Sequence, residues 1–340
     1  MMAIRAYKPT DLYDTALDVV EFENLTRRRF IIGAGGLLGA AALAACGAPG
    51  ANAPTAVPTG PARTIAGVLG NSYTLSAPPQ RLHASGGTDM DNALALGVVP
   101  ASIELYGDSQ LRADQRAAAT ATAIRFTEGP NFEQLAAARP DFILTGWGDE
   151  LYQRRMAEIA PTVFIDSTKP WREIVRQVAQ PLFRDAEAEQ VIRNLEQRFA
   201  DFKARFANRQ GQTPCLLYLA AEGTISLLTR ESSVGGLLTE LGFAPIAKTG
   251  DLYGENIALE SLPTEATGDF LIVLVDTWRI SDPNEAIPAS VQSFLDTPVV
   301  KQLPAAAGGT FVFPADGNVV YYLSALSIPI FVDQLASLLA

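Results

Sequence analysis

Histidine is almost absent: His83 is the only one in 340 residues. Zinc, copper or manganese sites built on several imidazoles are therefore excluded by count. A Ser-His-Asp triad would have to use His83, which falls in the strand-like Arg81-Leu82-His83-Ala84-Ser85, and no Gly-x-Ser-x-Gly elbow occurs. Cysteine is nearly as scarce. Cys46 and Cys215 are the only two, so no disulfide framework can be built. Cys215 lies in the apolar run Pro214–Leu219 and reads as a buried, inert strand residue. Basic charge is short as well. The net charge of −11 disfavours nucleic acid, whose binding needs Lys and Arg against phosphates, and broad contact with anionic lipid. A dinucleotide glycine fingerprint is missing too, because Gly33-Ala34-Gly35-Gly36 follows no strand.

What the chain has is an export-like start. Arg27-Arg28-Arg29 precedes the uncharged run Phe30–Ala45, which ends at Cys46. Leu43-Ala44-Ala45-Cys46 resembles a bacterial lipobox, in which the cysteine is acylated and becomes the new N-terminus. Thr26-Arg27-Arg28-Arg29-Phe30 resembles a twin-arginine signal. The other readings are a signal anchor or a buried helix. The run is shorter than the roughly 20 residues a spanning helix needs, and it contains glycines. Residues 1–45 are thus expected to be a leader. Residues 46–62, uncharged and rich in Pro, Gly and Ala, are expected to be a flexible tether.

Beyond the tether, strand-like and helix-like segments alternate, which implies an α/β fold with parallel sheets covered on both faces. Helices are expected over 89–96 (closed by Gly97), 132–138, 151–159, 234–241, 290–296 and 322–339. Strands are expected over 98–103, 142–145, 162–165, 215–221, 225–228, 270–275 and 310–313. Residues 171–208 break the rhythm. Val191, Leu195, Phe199, Phe202 and Phe206 recur at helical spacing, so 185–207 reads as one helix of roughly 30 Å or more. The layout is two α/β lobes, 63–182 and 209–340, joined by a helix over 183–208. Ligands of such sheets bind at the carboxyl ends of the strands, here between the lobes.

In that frame the chain resembles the helical-backbone (class III) substrate-binding proteins of bacterial ABC importers for iron–siderophore complexes, cobalamin and haem. The resemblance rests on Pro79-Gln80-Arg81-Leu82-His83-Ala84, Ala95-Leu96-Gly97-Val98-Val99-Pro100, Pro130-Asn131-Phe132-Glu133-Gln134-Leu135 with Arg139-Pro140-Asp141-Phe142, and Ile257-Ala258-Leu259-Glu260-Ser261-Leu262. It is nearest to the ferric-hydroxamate (ferrichrome) binders. The fold implied is two Rossmann-like lobes on one long helix. The function implied is a lipid-anchored receptor that carries an Fe(III)–siderophore to an ABC permease and its ATPase. It would do no chemistry, hold no resident cofactor or metal, bind no nucleic acid and work as a monomer.

The resemblance also implies site residues. Arg125 stands where the family places a ligand arginine, Trp147 matches an aromatic between glycines, Tyr253 an aromatic before the second glutamate motif, and Tyr321-Tyr322 a late aromatic pair. An Arg fork suits chelate oxygens, and Trp and Tyr supply broad contact area at low entropy cost. Each has a plainer reading: an ion pair for Arg125, core or inter-lobe packing for Trp147. Trp278-Arg279, after the strand at 271–275, could be a further contact pair or surface packing. Gly87 and Thr88, in Gly86-Gly87-Thr88-Asp89, could bring backbone to a ligand or simply make a turn. Glu133 and Glu260 are implied to dock one lobe each onto permease arginines, the alternative being carboxylates that complement helix dipoles. Cobalamin or haem remain alternative cargoes, and an exported α/β enzyme is the rival from another class.

Overall fold

The computed structural model describes residues 4–6, 61–106, 122–126, 131–219, 224–252, 254–276, 287, 289–315 and 323–340. β1 (Ile4–Ala6) comes first. A two-stranded antiparallel hairpin follows, β2 (Arg63–Ala66) with β3 (Ser72–Leu75).

The first lobe is built from β4 (Leu82–Ala84), α1 (Thr88–Ala95), β5 (Ser102–Tyr106), β6 (Thr122–Phe126), α2 (Phe132–Ala138), β7 (Phe142–Thr145), α3 (Glu150–Ile159) and β8 (Thr162–Phe164). Its five strands are all parallel, in the order β6-β5-β4-β7-β8. Chain progression therefore reverses at β4, the Rossmann-type switch point. Phe142, Ile143 and Leu144 are completely buried, as a central parallel strand requires.

Two helices follow. α4 (Trp171–Leu182) ends at Phe183, which adopts a left-handed conformation, and α5 (Asp185–Arg205) is the long helix. The apolar stripe of α5, Val191, Leu195, Phe199 and Phe202, is buried as its spacing predicts. Ion pairs from this helical pair reach the second lobe, Arg172 to Glu240 at 2.8 Å and Arg198 to Asp333 at 3.1 Å.

The second lobe contains β9 (Pro214–Leu219), β10 (Ile225–Leu227), α6 (Ser233–Glu240), β11 (Glu255–Asn256), β12 (Phe270–Asp276), α7 (Ala289–Leu295), β13 (Thr310–Ala315) and α8 (Ser327–Leu339). Its sheet runs β1-β13-β12-β9-β10-β11. One apolar cluster threads both lobes and the helical pair, from Phe142 and Leu144 through Val175 and Phe199 to Ile272 and Phe331.

Several expectations need correction. The second sheet is mixed rather than uniformly parallel, because β10 runs antiparallel to β9. A link as short as 220–224 can close a hairpin but not a parallel crossover. The strand expected at Val98 starts at Ser102 instead. Val98 donates its N–H to Ala93 O and closes the end of α1, and Pro100 follows in the irregular link before the strand. The last helix starts at Ser327 rather than 322, since Ser324 and Ser327 bond to each other in a turn before it. β6 and α4 were not anticipated. β1 lies inside the segment read as leader: it pairs parallel with β13, and Arg5 Nη1 donates to Leu338 O at 2.7 Å. Cleavage before Cys46 would remove it and leave β13 as the sheet edge.

Candidate ligand-binding site

At the switch point, the segments leaving β4 and β7 come together. Ser85-Gly86-Gly87 leads from β4 into α1, with Gly86 at φ 102° and Gly87 at φ 59°, a backbone that favours glycine. Gly146-Trp147-Gly148 leads from β7 towards α3. The two are bonded directly: Trp147 Nε1 donates to Ser85 O at 3.2 Å, Ser85 Oγ lies 3.0 Å from Thr145 Oγ1, and Thr145 Oγ1 donates to Trp147 O at 2.9 Å. Trp147 is half-buried and stacks on Tyr152, with ring centroids 4.3 Å apart. Its indole N–H is already used, so it offers ring surface rather than a donor to a ligand. Gly148 is needed here. At φ 98°, a Cβ on it would lie 2.2 Å from the Tyr152 ring.

Beneath this rim lies a polar cluster that sequence reasoning missed. His83 and Glu104, on adjacent strands, are both buried. His83 Nδ1 lies 2.9 Å from Ser102 Oγ, and Nε2 lies 3.2 Å from Glu104 Oε1. The Tyr152 hydroxyl lies 2.8 Å from both Glu104 oxygens. Burial pushes the Glu104 carboxyl up to about 8, against the opposing hydrogen bond from Tyr152. Burial pushes His83 down to about 3. Near neutral pH the pair is therefore a hydrogen bond between neutral groups, not an ion pair. The Glu104 O–H donates to Nε2 and the Nδ1–H to Ser102, proton positions inferred from the network. Asp89 is buried beside them. Its Oδ2 accepts from Ser85 N at 2.7 Å, while Oδ1 has no hydrogen-bond partner. Burial raises its carboxyl well above the usual value, and nearby Glu104 adds to the rise. The one available signal was Glu104 itself, an acid inside the apolar strand Ile103-Glu104-Leu105.

The expected site residues fall out unevenly. Gly87 is at the rim. Thr88 is 4 % exposed as the first residue of α1, and its carbonyl accepts from Asn92 Nδ2. Arg125 is placed by its backbone near the carboxyl end of β6, paired with Leu105. Tyr253, Trp278, Arg279, Tyr321, Tyr322 and Cys46 lie outside the described residues. Glu133 is exposed in the first turn of α2, whose Asn131 side chain accepts from Gln134 N–H. Glu260 is exposed in the turn Leu259–Ser261. Cys215 is buried and free, and its thiol is pushed up to about 12 by burial.

The lobes are also fastened behind the rim. Asp91 Oδ2 accepts from Ser324 Oγ at 2.9 Å, Asn92 Oδ1 accepts from Ala325 N at 2.9 Å, and Leu326 packs among Ala84, Met90, Leu94 and Ile103.

Two α/β lobes on one long helix, with a prepared rim at a switch point, define a class III periplasmic binding protein architecture. The sequence profile of the periplasmic binding protein family matches residues 85–314, and the chain belongs to that family. It is 25% identical over 237 residues to the achromobactin-binding periplasmic protein of Dickeya dadantii, covering 67% of this chain and 75% of the relative. It is 26% identical over 293 residues to the ferric enterobactin-binding periplasmic protein FepB of Escherichia coli, covering 78% and 88%. Among solved structures, a periplasmic solute binding protein from Mycobacterium smegmatis superposes with a TM-score of 0.66 at 24% identity, over 82% of this chain and 99% of the other.

Proposed function

We propose that this protein is the extracytoplasmic receptor of an ABC importer and takes a ferric siderophore between its lobes. The observation that carries this reading is family membership over 85–314 together with two relatives named for binding achromobactin and ferric enterobactin. The rim agrees with it: Trp147 presents a braced aromatic surface at the switch point, which suits the apolar shell of a bulky chelate. Arg125, at the carboxyl end of β6, is assigned to the chelate oxygens. Tyr253, Trp278, Arg279, Tyr321 and Tyr322 are assigned to the rest of the cleft. Glu133 and Glu260 are assigned to the permease, and both are exposed as such contacts require. Cys46 is assigned to the lipid anchor, with the protein acting as a monomer beside the permease.

Haem is disfavoured as cargo. His83 is completely buried with both ring nitrogens in hydrogen bonds, so an axial ligand would have to come from elsewhere. Native mass spectrometry tests the reading, with ferric hydroxamate, ferric catecholate, ferric citrate, cobalamin and haemin each offered to the purified protein. A mass increment for one ferric chelate at micromolar concentration is expected. An increment for none, or for cobalamin or haemin alone, would overturn it. Replacing Cys46 with Ala should abolish incorporation of labelled palmitate; retained label would refute the anchor.

A further inference from the structure

The buried cluster under the rim has a consequence for ligand binding that rests on the reading of Trp147 as a cargo contact. Trp147 follows β7 outside any helix or strand, and its indole is tied at one edge, by the Nε1–H bond to Ser85 O at 3.2 Å. Its broad support is the Tyr152 ring, with centroids 4.3 Å apart. Tyr152 is in turn pinned at its two ends. Gly148 sits against the ring, close enough that a Cβ there would overlap it. The hydroxyl reaches down between the strands to both oxygens of Glu104. Glu104 is itself held by His83, and His83 by Ser102. The chain of contacts runs from the sheet interior to the rim without a break. We propose that Glu104 is a positioning residue for cargo binding, which acts through the Tyr152 hydroxyl to hold the Trp147 indole in place.

A buried carboxyl with only apolar work to do would be costly, and an apolar side chain would fill the site more cheaply. What Glu104 supplies that Leu or Met would not is a directional anchor for one hydroxyl. The groups facing it are His83 on β4, Asp89 on α1 and Tyr152 on α3, while on β6 the residue level with its strand neighbour Leu105 is Arg125.

The test uses the whole protein labelled with 5-fluorotryptophan. The chain has three tryptophans, so three resonances arise, and Trp147→Phe identifies the one of interest. Glu104→Ala should shift or broaden the Trp147 resonance, leave that of Trp171 in place, and weaken ferric-chelate binding by about tenfold through lost preorganisation. Glu104→Gln keeps a donor for His83 and an acceptor for Tyr152, and should restore both readouts. The wild-type Trp147 resonance should also move as pH rises past about 8, and that movement should vanish in Glu104→Gln. If Glu104→Ala fails to fold, Tyr152→Phe removes only the hydroxyl and should give the same Trp147 shift. An unmoved Trp147 resonance in Glu104→Ala or Tyr152→Phe overturns the proposal, as does a Gln variant that behaves like Ala. A Trp147 shift with unaltered chelate affinity overturns the link to cargo. If the wild type binds no ferric chelate at all, the receptor reading fails, while the fluorine shifts still decide whether Glu104 positions Trp147.

Discussion

The two lobes solve the same packing problem with opposite chemistry. In the second lobe, β9 and β12 are slabs of apolar side chains: Leu216, Leu217, Leu271, Ile272, Val273 and Leu274 are all fully buried. In the first lobe, the carboxyl ends of the equivalent parallel strands bury His83, Ser85, Asp89, Glu104 and Thr145. Among the described residues, every buried Asp, Glu and His belongs to the first lobe. Buried polar groups cost free energy unless they are bonded, so a lobe that keeps them is specifying geometry. The lesson is a division of labour. The second lobe buries only uncharged polar side chains, such as Ser226, Thr229 and Ser232, beside its apolar slabs, whereas the first gives up some stability to hold titratable groups beneath a rim whose parts cannot rotate freely.

This difference can be broken in order of effect. Leu274→Ala in the second lobe should cost the most, about 2–5 kcal/mol by the usual cost of emptying a buried Leu site, read by chemical denaturation. Because Leu274 is in the common apolar cluster and not at the rim, chelate affinity measured on the folded fraction should stay near wild type. Gly148→Ala should cost less stability, about 1–3 kcal/mol for a strained backbone and a displaced ring, yet it should damage chelate affinity more than Leu274→Ala does. Equal effects of the two on affinity would erase the distinction between the lobes. Asp91→Ala removes the acceptor of the Ser324 hydroxyl at the fastening between them; the hydroxyl keeps Ser327 as a partner, so the cost should be about 0.5–1.5 kcal/mol, the usual net worth of one hydrogen bond.

The smallest effect is on pH dependence. Folded Glu104 holds a proton between the ordinary value of 4.5 and about 8, so its contribution to stability declines as pH rises through that window. Folded His83 refuses a proton between 6.5 and about 3, so its contribution is lost as pH falls through that range. The two oppose each other below 6.5. Above it the Glu104 slope remains. The thermal midpoint should therefore fall between pH 6.5 and 8, and Glu104→Gln should reduce that fall. A variant slope equal to that of the wild type would show that Glu104 is not the titrating group.

The apolar features were legible because they are periodic. The sequence bounds of Phe142–Thr145 and Phe132–Ala138 match the structure, and the stripe Val191, Leu195, Phe199 and Phe202 marks the long helix by its spacing alone. The rim was legible only in outline, through glycines around Trp147. The cluster below it was not, because His83, Glu104 and Tyr152 are far apart in the chain and meet only once β4 and β5 pair and α3 packs over them. The order of the second sheet was hidden for a related reason: strand-like runs carry no sign of direction, and only the short link at 220–224 hinted at a hairpin. β6 went unread because Thr122–Phe126 is short and follows the Ala- and Thr-rich 117–121.

The central claim is that cargo rests on the first-lobe rim against Trp147. Tryptophan-fluorescence titration of the wild type and Trp147→Phe with the ferric chelate that native mass spectrometry selects tests it directly. The account predicts saturable quenching in the wild type, with most of the signal change and much of the affinity lost in Trp147→Phe. Quenching of equal depth at equal affinity in the two proteins would contradict it.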